Sequence, residues 1–88
     1  MSAKPKSPTK LPDRENLREI LAYNIQILRV QKGWSQERLA NECELDRTYI
    51  SAVERCRWNI SLANIEKLAS ALACPAWKLL KYPTPESM

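Results

Sequence analysis

The stretch SQERLANECELDRTYISAVER, Ser35 to Arg55, decides the fold. Ser35 is a natural N-cap, and it opens a helix from Gln36 to about Cys43. Leu39 and Cys43 share the inner face of that helix, with Ala40 beside them. Only Glu44 and Leu45 follow before Asp46, a second good cap. The next helix then runs from Asp46 to about Arg55, with Ile50 and Val53 pointing inward. Two helices joined by so short a link cannot lie side by side; they must cross at a steep angle. Ala40 falls at the crossing, where a larger side chain would hold the helices apart. Leu39, Leu45, Ile50 and Val53 lock the pair onto whatever lies behind it.

What lies behind is a helix from about Asp13 to Lys32. Asp13 follows Pro12 and can cap it, and Leu17, Leu21, Ile25 and Leu28 recur at helical spacing, widened by Ile20 and Ile27. Gly33, the single glycine of the chain, stops it by accepting a positive φ. Trp34 is expected beneath the join of the first two helices. Downstream, Ser61 caps a fourth helix that places Leu62, Ile65, Leu68, Ala69 and Leu72 on one face. A short fifth helix opens at Pro75, a residue favoured in the first turn, and carries Trp77, Leu79 and Leu80. Strand signals are nearly absent. The expected architecture is all-α and compact, five short helices with short connections.

Residues 13–82 make this domain. Residues 1–12 hold three lysines, three prolines and no acid, and read as a disordered basic arm. Residues 83–88 read as a tail. The 88 residues suffice for one small domain, and 14 basic against 10 acidic side chains give a net charge of +4, which suits a polyanionic partner. The chain has no histidine, which removes Ser-His-Asp and Cys-His catalysis and any His-ligated metal. With one glycine there is no phosphate-cradling loop. Cys43, Cys56 and Cys74 form no CxxC pair, so a disulfide framework or zinc site is not expected, and a reducing cytoplasm is the simpler setting. Neither a membrane span nor a signal peptide is visible. No cofactor and no enzymatic activity are expected.

The pair of helices around Glu44 has a helix-turn-helix spacing. On the second of them Arg47, Thr48, Ser51 and Arg55 fall on one face, opposite Ile50 and Val53. Such side chains suit base edges in a DNA major groove: arginine can bond guanine O6 and N7 together, and a threonine methyl can touch that of thymine. The plain alternative is a solvated helix face. The segments Gly33 to Ala40, Leu45 to Ser51, Val53 to Arg55, Asn59 to Leu62 and Asn64 to Ala69 together resemble the Cro/C1-type (XRE) helix-turn-helix family, across about residues 17–81. Within it, Asp46 to Ser51 with Val53 to Arg55 and Asn59 to Ile65 look most like the controller proteins of restriction–modification systems.

The resemblance implies a lambda-repressor-like domain acting as a homodimer on palindromic double-stranded DNA, regulating its own promoter and the endonuclease gene. It implies base contacts from Arg47, Thr48 and Ser51, and backbone contacts from Gln36, Tyr49, Arg55, Arg57 and Asn59. It implies a structural ion pair between Arg29 and Glu54, and a dimer contact built from the fourth and fifth helices, with Ile65, Leu68, Trp77, Leu79 and Leu80. The family favours glycine where this chain has Glu44, Cys56 and Ala73, and a non-glycine residue forced into positive φ costs about 1 kcal/mol. Trp58 stands where a second basic residue is frequent, and Ile60 where proline is common. Glu37, Glu42 and Glu44 form an acidic patch near the second helix, suited to facing RNA polymerase. The competing reading is an antitoxin or adaptor that uses the same fold to hold a protein partner.

Overall fold

The computed structural model describes residue 8 and residues 10–83. Most of the basic arm and most of the tail therefore lie outside the described residues. The order is α1 (Leu17–Gln31), α2 (Gln36–Cys43), α3 (Arg47–Glu54), α4 (Leu62–Ala71) and a 3-10 helix (Ala76–Leu80), with no strand among the described residues. The fifth helix of the sequence reading is thus one tight 3-10 segment rather than an α-helix.

Each α-helix begins on a side-chain oxygen that accepts a backbone N–H. Ser35 accepts from Arg38 at 3.0 Å, Asp46 from Thr48 at 2.8 Å and Ser61 from Asn64 at 3.1 Å. The start of α1 differs from expectation. Asp13 does not open the helix; its carboxylate accepts from the Glu15 N–H at 2.9 Å within a turn. Asn16 is the cap, accepting from the Glu19 N–H at 3.1 Å, while the Glu19 carboxylate reaches back to the Asn16 amide and the Asp13 N–H, both at 3.1 Å. The Asn16 side chain thus satisfies the Glu19 N–H and is itself held in place by the Glu19 carboxylate, while the Asn16 backbone N–H goes to the Asp13 carbonyl at 3.0 Å. Leu17, expected on the inner stripe, is consequently the first helical residue and stays 56% exposed. Burial begins at Ile20 and Leu21.

All four α-helices end in one way. A residue with left-handed backbone follows, at φ +74° for Gly33, +58° for Glu44 and +59° for both Cys56 and Ala73. The next N–H reaches back across the turn: Trp34 to Arg29, Leu45 to Ala40, Arg57 to Ala52 and Cys74 to Ala69, at 2.9–3.0 Å. The three positions where a glycine was missing are thus left-handed anyway. The returning hydrogen bonds and the packing beyond them hold the strain in place.

Five side chains are almost wholly enclosed: Ile25, Leu39, Ile50, Leu68 and Leu79. Each comes from a different element, so the five meet as the centre of the core. Three of the residues expected at a dimer contact, Ile65, Leu68 and Leu79, therefore belong to the interior of the single chain. The inward faces of α4 and the 3-10 helix have to cover α1 and α2 first, and little of those three is left for a partner. Trp77 remains 63% exposed and Leu80 partly so.

The 3-10 helix is tied down by Asn24 of α1, whose amide donates to the Leu79 and Lys81 carbonyls, each at 2.8 Å. Those are carbonyls that a helix end leaves without partners. The Tyr82 hydroxyl donates to the Pro12 carbonyl at 3.0 Å, and the Arg14 guanidinium lies 4.2 Å over the Tyr82 ring. Pro12 is buried, so the packed body takes in the last residue assigned to the arm. Trp34 is only half-buried, flanked by the Lys32 ammonium at 5.2 Å and the Arg38 guanidinium at 5.0 Å.

Ala73→Gly relieves about 1–2 kcal/mol of left-handed strain and gives back about 0.4–1 kcal/mol through the freer unfolded chain, so stability should rise by up to about 1.5 kcal/mol. Urea unfolding checks this; a lower midpoint would show that the strain is not there.

Candidate nucleic-acid interface

Helix α3 has two unlike sides. Ile50, Ala52 and Val53 are buried, while Arg47 and Thr48 are exposed and Ser51 is half-exposed. The Ser51 hydroxyl accepts from the Arg55 guanidinium at 2.6 Å, so these two residues form one polar unit rather than two separate contacts. Beyond the helix, Arg57 and Asn59 are exposed on the loop to α4.

The rear of α3 is fixed by a closed polar cluster. Arg29 Nε donates to Glu54 Oε2 at 2.8 Å and Arg29 Nη2 to Glu54 Oε1 at 3.0 Å, a fork-on-fork pair with side chains only 6% and 4% exposed. Arg29 Nη1 donates to the Trp34 carbonyl at 2.8 Å, and Gln36 Nε2 donates to Glu54 Oε1 at 3.0 Å. The end of α1, the start of α2 and the end of α3 therefore converge on two charges. Gln36, expected to hold a phosphate, has turned one amide hydrogen inward. The second hydrogen of an amide nitrogen can still face outward, as can the N–H groups at the start of α2.

On the opposite flank Tyr49 is half-buried. Its hydroxyl accepts from Asn64 Nδ2 at 3.0 Å, and its ring packs against Trp58 with centroids 5.7 Å apart, tilted by 47°. Sequence reasoning missed this bracket and the Gln36–Glu54 bond. The only signal for Asn64 was its place one residue before Ile65, on the margin of the buried face of α4. Among the acidic side chains near α2, Glu37 and Glu44 are exposed, and Glu42 makes an exposed pair with Arg38 at 2.9 Å. Surface pairs of that kind contribute little.

The cysteines are free thiols. Cys43 is buried, and burial, with Glu42 adding to it against Lys67, pushes its pKa up to about 11. Burial also raises the thiols of Cys56 and Cys74. Among the described residues no group of three His, Cys, Asp or Glu side chains is placed to hold a metal ion, and no helix is long and apolar enough to cross a membrane.

A helix-turn-helix family model matches residues 25–76, which takes in α2, α3 and α4 whole. The chain belongs to the XRE-type helix-turn-helix family. A hypothetical transcription factor of Neisseria meningitidis is 62% identical over 76 residues, covering 86% of this chain and 72% of that one. A solved hypothetical transcription factor from Neisseria, NHTF, is 60% identical, covering 91% of this chain and 92% of that one, and superposes with a TM-score of 0.89. The control protein C.BamHI of Bacillus amyloliquefaciens is 44% identical over 70 residues, covering 78% of this chain and 86% of its own. The restriction–modification controller C.Esp1396I, solved as a tetramer on its natural 35-base-pair operator, is 33% identical with a TM-score of 0.67, covering 73% of this chain and 88% of that one.

Two outcomes follow within this family fold. Arg29→Met leaves Glu54 buried without its countercharge and should destabilise the domain by about 3–5 kcal/mol, read by urea unfolding. A loss under about 1 kcal/mol would mean that water reaches the cluster. At about pH 8 Cys43 stays protonated, so Cys43→Ser should leave the number of rapidly alkylated thiols unchanged.

Proposed function

We propose that this chain is a sequence-specific, homodimeric transcription regulator that binds operator DNA and controls a restriction–modification operon, its own promoter included. One observation carries the reading. Helix α3 is clamped from behind by the Arg29–Glu54 cluster and presents Arg47 and Thr48 to solvent. The controller relatives, one of them solved on its operator, point the same way.

In this reading Arg47, Thr48 and Ser51 face base edges, with Arg55 holding the Ser51 hydroxyl. Gln36, Tyr49, Arg55, Arg57 and Asn59 meet the sugar-phosphate backbone, which sets affinity and salt dependence. Two subunits place their α3 helices in successive major grooves, one turn apart or a multiple of it. With Ile65, Leu68 and Leu79 taken by the monomer core, the dimer seam falls to Trp77 and Leu80. Leu62, 75% exposed at the start of α4, joins them. The three free thiols suit a reducing cytoplasm, and the acidic side chains Glu37, Glu42 and Glu44 suit a polymerase-facing surface.

Footprinting on DNA upstream of the chain's own gene should show a symmetric protected repeat. Arg47→Ala should cost about 1–3 kcal/mol of binding and relax preference at one base pair. An unchanged ratio between cognate and scrambled duplexes would remove Arg47 from base reading. A stoichiometric protein partner with no duplex binding would instead favour the antitoxin or adaptor reading.

A further inference from the structure

At 100° per residue, the exposed stripe of α3 through Arg47, Thr48 and Ser51 ends on one side at Glu54, which is bonded to Gln36. Tyr49, bonded to Asn64, lies further round the helix, past the buried Ala52. Trp58 packs on Tyr49 in the loop that follows α3. Trp58 is 47% exposed, its ring tilted by 47° against that of Tyr49, and it stands between two exposed polar residues, Arg57 and Asn59. Among the described residues its indole N–H donates to no protein acceptor. An aromatic side chain anchored by one neighbour, half open and carrying a spare donor offers area at little entropic cost.

We propose that Trp58 is a DNA-contacting residue of this chain, its indole N–H donating to a backbone phosphate while its open ring face packs on the adjoining deoxyribose. The inference rests on the DNA-binding reading above and deepens it. Trp58 supplies a further neutral contact beside those of Gln36, Tyr49 and Asn59. Tyr49 and Asn64 set its position, because the Asn64–Tyr49 bond fixes the ring on which the indole leans. A neutral donor displaces no counterion, so its contribution persists at salt concentrations that weaken the contacts of Arg55 and Arg57.

The test uses the full chain and a duplex carrying the footprinted repeat. Trp58→Ala should weaken binding about tenfold while leaving the slope of log K against log salt unchanged, whereas Arg57→Ala should lower that slope by about 1. Wild-type tryptophan emission should change on duplex addition, and Trp58→Phe should remove most of the change, leaving only what Trp34 and Trp77 contribute. An undiminished emission response in Trp58→Phe, or wild-type affinity in Trp58→Ala, overturns the proposal. Should Trp58→Ala fail to fold, the emission measurement on Trp58→Phe decides alone. If the wild-type chain binds no duplex, it is the DNA-binding reading that falls. If it binds and Arg47→Ala weakens it while Trp58→Ala does not, only the role of Trp58 falls.

Discussion

The buried pair between Arg29 and Glu54 is the constraint on which the arrangement of helices depends. Two charges out of water are tolerated only when every donor and acceptor around them is used. Here the guanidinium serves both Glu54 carboxylate oxygens and the Trp34 carbonyl, and Gln36 adds a further donor. Such a cluster contributes geometry more than net stability, because an apolar packing of the same volume often does as well energetically. It has few alternative arrangements. Rotating α3 about its axis would strand a carboxylate, and sliding α2 would break the bond from Gln36 to Glu54. The outward face of α3 is thereby held in one orientation.

Much of this was legible in the sequence because it is local. Ser35, Asp46 and Ser61 announce three helix starts through short-range hydrogen bonds, and the stripes of Leu39, Ile50 and Leu68 announce which faces turn inward. Local competition misled once: Asp13 and Asn16 are both good caps, and the choice fell to Asn16 because Glu19 lies three residues beyond it. The dimer residues were harder, since an apolar stripe on α4 does not say whether it covers α1 and α2 or a second subunit. The bonds from Gln36 to Glu54 and from Asn64 to Tyr49 were invisible, because they join residues far apart in sequence whose types are common on any helix surface.

The helix ends show how packing overrides a residue's own preference. Glu44, Cys56 and Ala73 adopt a backbone conformation that L-residues avoid, and each does so one residue before an N–H that must find its carbonyl. At Glu44 this bend sets the crossing of α2 and α3. The angle at which the polar face of α3 is presented thus depends on a strained residue that the rest of the fold holds in place.

The five enclosed side chains, one from each helical element, have a consequence for how the molecule fails. When every element contributes to the same centre, none can melt without opening a hole that the others line. Loss of any whole element is then coupled to loss of the rest. The packed centre is expected to unfold as an all-or-none unit, so that protease access to it follows the rare excursions of the whole domain rather than the breathing of a weak corner.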